Sequence, residues 1–562
     1  MRTFTAQHLT ITSWDDLAPY FDALLQRPID TLAAYTQWLH DRSELESVIS
    51  EDLAWRYVKM TCDTANEEKV NAYTYFISEI EPHISPISNK LDEKAFDSPF
   101  RLELKGEAYA IMFRSIEKNM SIFREANVPL FSAMAQEAQK YGATVGAMTV
   151  EVDGQEVTLP KASDKLQSTD RTEREETYFK INERRLQDKD FLNDLYTKLI
   201  EMRHQIAQNA GFANFRDYMF VSMGRFDYTK EDCFAFHASV QKEIVPVLDL
   251  LAEDRKEKLQ VSELKPWDLS VDKTGKPPLK PFETGAELLE KTIACFDRLD
   301  PFLGDCLREM KKLNRFDLES RKGKGPGGYN YPMEETGYPF IFMNATGNFR
   351  DMITLLHEGG HAVHSVLTKD LELNSFRALT SEIAELASMS MELITMDHWD
   401  IFFPEEEDRK RAKRQHLEQI IETLPWVATI DKFQHWVYEH PHHTVEERIA
   451  EWHSLHAAFS SKVVHWEGLQ TFRDHIWQKQ LHLFEVPFYY IEYGIAQLGA
   501  VAVWKNYKED PKKGLQNYLG ALSLGYTKPI KEIYATAGIR FDFSKDYIDE
   551  LMDFVKGELK KL

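Results

Sequence analysis

Along most of the chain apolar residues recur at intervals of three and four, the spacing that lines one face of a helix. Phe191–Ala207 is representative, with Leu192, Leu195, Leu199, Met202 and Ile206 in step. Alternating, strand-like runs are few and short, so the pattern predicts a mainly all-α protein. Two stretches break it. Glu151–Lys161 alternates around an Asp-Gly pair and predicts a small hairpin, placed to join an N-terminal helical region to the rest. Between Lys322 and Asn348, Gly-Lys-Gly-Pro-Gly-Gly-Tyr-Asn-Tyr-Pro precedes the β-prone run Tyr338–Asn344, expected as a loop and an edge strand feeding a helix. That loop lacks the Gly-Lys-Ser/Thr ending of a phosphate-binding loop, which argues against nucleotide binding. No repeat of solenoid period and no low-complexity tract interrupts the helices.

The helix predicted after Asn348, a plausible N-cap, contains His357-Glu358-Gly359-Gly360-His361. Side chains four apart on a helix share a face, so both imidazoles can reach one tetrahedral ion. Glu358, one residue on, then stands beside the position left for water. The bland alternative is a surface helix. Against it, two mid-helix glycines each cost up to about 1 kcal/mol relative to alanine, which suggests that another backbone comes close there. A catalytic zinc needs a third protein ligand. Downstream, Thr380-Ser381-Glu382-Ile-Ala-Glu385-Leu-Ala-Ser-Met-Ser-Met-Glu392 predicts a second helix, capped by Thr380 or Ser381, with three glutamates near one face.

Composition narrows the picture. The 562 residues suffice for a large core, and 43% hydrophobic with 28% charged residues is ordinary for a soluble globular chain. Lys plus Arg number 68 against 91 Asp plus Glu, a net charge of -23 that disfavours nucleic acid and anionic membrane partners. The four cysteines, Cys62, Cys233, Cys295 and Cys306, show no Cys-x-x-Cys spacing and are expected as buried free thiols. Met1–Ser13 lacks the apolar stretch of a signal peptide, and no run approaches the ~18 apolar residues of a membrane span. The expected location is a reducing cytoplasm; oligomeric state is not readable.

His-Glu-Gly-Gly-His-Ala-Val-His, with 23 residues between His361 and the Glu385 of Ser-Glu-Ile-Ala-Glu-Leu-Ala-Ser-Met, resembles the M3 family of metallopeptidases, in particular its oligoendopeptidase F and Pz-peptidase branch. The resemblance implies one zinc ion per chain held by His357, His361 and Glu385, with Glu358 as general base. Glu382 and Glu392 become candidates to hydrogen-bond the imidazoles. A second segment, His482-Leu-Phe-Glu-Val-Pro-Phe-Tyr489-Tyr490-Ile-Glu-Tyr493, resembles the family's histidine and tyrosine stretch. It implies that His482 and Tyr493 hydrogen-bond the substrate carbonyl and developing oxyanion, with Tyr489 as the assisting tyrosine and Tyr490 as its alternative. Read alone, such an aromatic cluster is core packing. His364 is expected to support the site rather than bind metal, and His440-Pro-His442-His443 to be a loop flanking a helix.

The implied fold is two helical regions, residues 1–175 and 176–562, flanking a deep channel with zinc on its floor and a small β element beside the zinc helix. The implied substrates are short peptides cut internally, paired with the Tyr338–Asn344 strand by β-addition. Two rival readings share parts of this pattern. An aminopeptidase-like enzyme shares the zinc motif, but Pro332-Met-Glu-Glu is not the Gly-x-Met-Glu-Asn signature that class resembles. A helical binding protein with a vestigial site would lack a ligand or the base, and none is missing.

Overall fold

The computed structural model describes residues 2–321, 323–325 and 327–562. Lys322 and Pro326 of the expected glycine-rich loop lie outside the described residues. Helices account for 70% of the chain and strands for 4%, so the helical periodicity reports the architecture.

The hairpin forms from Thr149–Val152 (β1) and Gln155–Thr158 (β2), antiparallel with Val152 opposite Gln155. Asp153 and Gly154 both have positive φ, 52° and 72°, as the tight two-residue turn requires. The other strands make one small sheet: Phe316–Glu319 (β3), Tyr329–Tyr331 (β4) and Phe340–Ala345 (β5). Their order is β3-β5-β4, with β3 parallel and β4 antiparallel to β5. The expectation that Tyr338–Asn344 is an edge strand is therefore wrong. Both of its ladders are occupied, and Phe340 to Met343 are all buried, as suits a strand covered on both faces. The edge beside the site belongs to β4.

Five apolar clusters organise the helices, the smallest of them Tyr178, Trp267 and Leu469. N-terminal helices gather around Trp38, Leu45, Phe76, Leu91 and Phe113, and Leu373 and Phe376 from the distant chain join them. The helix Leu32–Cys62 then lays Ala54 and Val58 on Phe340 and Phe342, tying that region to the sheet. A third cluster joins Tyr141, Met148 and Leu159 to Leu195, Phe433 and Phe484. The largest surrounds the histidine helix, Phe349–Thr368, and the glutamate helix, Ser381–Ile394. A cavity of about 660 Å³ opens between Leu39, Arg42, Met112 and Lys118 on the N-terminal side and Thr380, Glu382 and Glu492 on the other.

The two mid-helix glycines have different neighbours. A Cβ on Gly360 would stand 2.7 Å from both the Ala387 carbonyl oxygen and Ser388 Cα, so here the neighbouring helix backbone does come close. A Cβ on Gly359 would meet the Phe296 ring at 2.7 Å, which is a side chain rather than a backbone. Only glycine lets the histidine and glutamate helices touch.

Gly360→Ala is expected to destabilise the protein by about 1–3 kcal/mol, the usual cost of overpacking against atoms that cannot swing aside. Gly557→Ala is the control: nothing lies within 4 Å of its Cβ position, so a gain of about 0.4–1 kcal/mol is expected. Urea unfolding of both variants measures the contrast, and equal effects would refute the contact argument.

Candidate metal centre

The histidine helix starts where its sequence says it should. The Asn348 side chain accepts from the Asp351 amide, while the Asp351 carboxylate accepts from the amides of Thr346, Gly347 and Asn348. This double cap fixes the turn from β5 into the helix and so the position of the following two turns. Asn330 on β4 adds a tie, donating 3.1 Å to the Glu358 carbonyl.

Because the helices touch at Gly360, Glu385 reaches both imidazoles. Its Oε2 lies 3.3 Å from His357 Nε2 and 3.8 Å from His361 Nε2, and the donor atoms of the three residues all fall within 4.8 Å of one another. Glu392, two turns on, takes His357 Nδ1 at 2.6 Å. A carboxylate cannot donate, so Nδ1 carries a proton, and Nε2 is the ring atom turned toward His361 and Glu385. Glu382 does not join them. It lines the cavity and contacts Glu492, which Arg225 also pairs at 2.7 Å.

The electrostatics suit a cation. Burial opposes a charge on His357, yet Glu385 and Glu392 together hold its pKa well above the ordinary value. Burial likewise opposes ionisation of Glu385, but His357, His361 and Tyr489 bring it down to about 2. His361 is pushed down to about 4 by burial, leaving its lone pair free. Two imidazole nitrogens, one anionic oxygen and a field that draws positive charge make a donor set that fits zinc, a bound cation taking the place of the His357 Nε2 proton. Glu358 beside them is pushed up to about 7 by burial, against the pull of His357.

His482, Tyr489 and Tyr493 come to the same place. Tyr489 Oη donates 2.7 Å to Glu385 Oε1, and Ser388 Oγ donates 3.1 Å to Oε2, so both ligand oxygens are held. Tyr490 instead stacks edge-on with His482 at 4.9 Å. A directional relay sets the His482 tautomer. Trp426 Nε1, which can only donate, lies 3.1 Å from Gln480 Oε1, so the Gln480 amide nitrogen faces His482 Nδ1 at 2.7 Å and donates to it. Burial pushes His482 down to about 4, so the ring is neutral with its proton on Nε2, 3.2 Å from Tyr493 Oη. The Tyr493 oxygen accepts and its own proton stays free to point elsewhere.

Phe488, just before Tyr489, has φ +66°, a left-handed conformation costly for a bulky side chain. It is held from both sides: its amide donates to Gln434 Oε1 at 2.6 Å and its carbonyl accepts from Arg225. Sequence reading missed Trp426, Gln480, Gln434 and Arg225, none of which carries a motif. His364 is buried one turn beyond His361, and neither ring nitrogen has a side-chain partner. His440, His442 and His443 occupy the loop between Glu406–Glu439 and Val445–Phe459, with His443 accepting from Arg448.

The chain matches the family described as "Peptidase family M3" over residues 165–553 and the "Peptidase M3 N-terminal domain" over residues 4–123. It is 24% identical over 374 residues to an oligoendopeptidase F homolog of Borreliella burgdorferi, covering 65% of this chain and 61% of that protein. It is 22% identical over 320 residues to an oligoendopeptidase F homolog of Lactococcus lactis subsp. lactis, covering 57% and 52%. The match thus spans little more than half the length of these relatives. A solved structure of Pz peptidase A with an inhibitor superposes with a TM-score of 0.93 at 27% identity, covering 100% of this chain and 99% of that one.

Glu392→Gln tests the field around the centre. An amide can still reach His357 Nδ1 but carries no charge, so zinc affinity is expected to fall about 10–100-fold, the usual cost of losing such a support. Competition against a calibrated chelator measures it, and unchanged affinity would remove Glu392 from the account.

Proposed function

This chain belongs to peptidase family M3, and on that premise we propose that it is a zinc-dependent oligoendopeptidase hydrolysing internal bonds of short peptides, with Glu358 as general base and acid. The observation that carries the reading is the convergence of His357, His361 and Glu385 within 4.8 Å, with buried Glu358 on the same helix. One zinc ion held by those three residues supplies Lewis acidity and lowers the pKa of water when bound.

The chain's own residues supply the rest. Glu358, near pKa 7 through burial, accepts the proton of the attacking water and returns it to the leaving amine. Tyr493, its oxygen occupied by His482, presents its hydroxyl proton to the carbonyl oxygen as charge develops there, an interaction worth about 3–4 kcal/mol for a well-placed donor. Tyr489 acts through Glu385, holding the ligand oxygen in place. An extended substrate pairs with the open edge of β4, which replaces β5 in this role and gives affinity without demanding one side chain.

We propose an N-terminal region, 1–175, and a catalytic region, 176–562; the two family matches cover residues 4–123 and 165–553. We infer that a channel between them sorts substrates by size; the cavity of about 660 Å³ reaches the glutamate helix at Ser381 and Glu382. A cytoplasmic location agrees with four unpaired cysteines, and no helix of the described residues is long and apolar enough to cross a membrane.

Glu358→Gln is expected to retain zinc and lose nearly all turnover, because the amide keeps the shape but cannot accept the proton. Tyr493→Phe should lower kcat by roughly 10²–10³ with stability intact. Tyr489→Phe should instead weaken zinc binding. Metal content beside steady-state kinetics separates the three, and wild-type kcat in zinc-loaded Glu358→Gln would sink the mechanism.

Substrate size is the functional test. Across peptides of increasing length, kcat/KM is expected to fall sharply beyond a limiting length, with N-acetylation making little difference and intact casein left uncut. Undiminished rates on long unfolded chains would show an open site.

A further inference from the structure

A second set of metal-binding side chains is buried between two other helices. Lys230–Ser239 carries Cys233 and His237, and Glu406–Glu439 carries Asp431 and His435, each pair four residues apart and therefore on one helical face. The facing pairs meet. His237 Nε2 lies 2.8 Å from Asp431 Oδ2, and His435 Nε2 lies 3.3 Å from the same oxygen without the alignment of a hydrogen bond. Donor atoms of Cys233, Asp431 and His435 all fall within 4.8 Å of one another. None of the four residues is more than 2% exposed.

The bland reading is a His237–Asp431 pair beside a free thiol. It leaves too much unexplained. Asp431 Oδ1 and both ring nitrogens of His435 have no hydrogen-bond partner, although buried polar atoms are nearly always paired. An anion, an unpaired imidazole and a thiol share one dry space, and a divalent cation would satisfy all three.

We propose that Cys233, Asp431 and His435 bind a second metal ion of the zinc class, with His237 anchoring the Asp431 carboxylate from outside. Sulfur, nitrogen and oxygen donors together favour zinc or cobalt over magnesium or calcium. Binding converts the Cys233 thiol to thiolate, and its proton leaves to solvent. Phe234, 39% exposed and 4.9 Å from His435 ring to ring, is the thin cover on this side. The ion's place in the fold is structural. His435 lies edge-on to Phe488 at 5.5 Å, and its neighbour Gln434 holds the Phe488 amide, so the pinned helix pair backs the segment that delivers Tyr489.

The full chain, stripped and reloaded with cobalt, gives the test independently of any peptidase activity. The expected result is a second equivalent of cobalt per chain and a near-ultraviolet thiolate-to-cobalt charge-transfer band. The His357, His361 and Glu385 centre has no sulfur donor and cannot produce that band. Cys233→Ala should lose both the band and the second equivalent, whereas Cys62→Ala should keep them. Should Cys233→Ala fail to fold, X-ray absorption of the zinc-loaded wild type decides: a sulfur neighbour at about 2.3 Å is expected. Binding of a single equivalent, a band that survives in folded Cys233→Ala, or a zinc shell without sulfur would each overturn the proposal.

Discussion

Everything at the candidate metal centre depends on how closely two helices approach. Gly360 brings the histidine helix against the backbone at Ala387 and Ser388, and that contact decides whether Glu385 reaches His357 and His361. A helix pair separated by ordinary side chains sits 8–10 Å apart axis to axis, and a carboxylate has little reach to make up a larger gap. The flanking apolar residues, among them Leu356, Val363, Leu386 and Met391, are fully buried and hold that spacing. Gly360 forgoes helix propensity for this geometry, so the site rests on backbone proximity first and on donor chemistry second.

The centre is also a managed concentration of charge. Glu385, Glu392 and Glu358 stand close together with little water, an arrangement that repels itself unless protons or a cation intervene. Each acid meets that repulsion differently. Glu385 leans on two imidazoles and a tyrosine, Glu392 on the His357 N–H, and Glu358 yields by moving toward neutrality. One residue type thereby takes three electrostatic settings: ionised beside two imidazoles, bonded to a ring N–H, and raised toward neutrality by burial.

Much of this was legible in the sequence, because its signals are local. Helical period, the Asn348 cap, the Asp-Gly turn and the spacing of His357 and His361 each concern residues within a turn or two. Legibility failed where distant chain segments decide. Nothing in the four residues Phe316–Glu319 announces that they pair with β5, so β5 looked like an edge. Glu382 and Glu392 looked alike as glutamates on one helix, and only the surrounding helices send one to Arg225 and Glu492 and the other to His357. The Trp426–Gln480 contact spans 54 residues and His237–Asp431 spans 194, distances over which neither pattern nor spacing carries information.

The short reach of β4 has a further consequence for the life of the folded molecule. An open sheet edge is a template that any extended chain can copy, and long apolar edges seed stacking of one molecule on another. Here the edge strand is three residues long, Tyr329–Tyr331, and Pro332, which lacks an amide hydrogen, follows it at once. A single extended chain would find only a few backbone partners there. A growing fibril would find too few to continue, so the protein keeps an adhesive edge without becoming adhesive to itself.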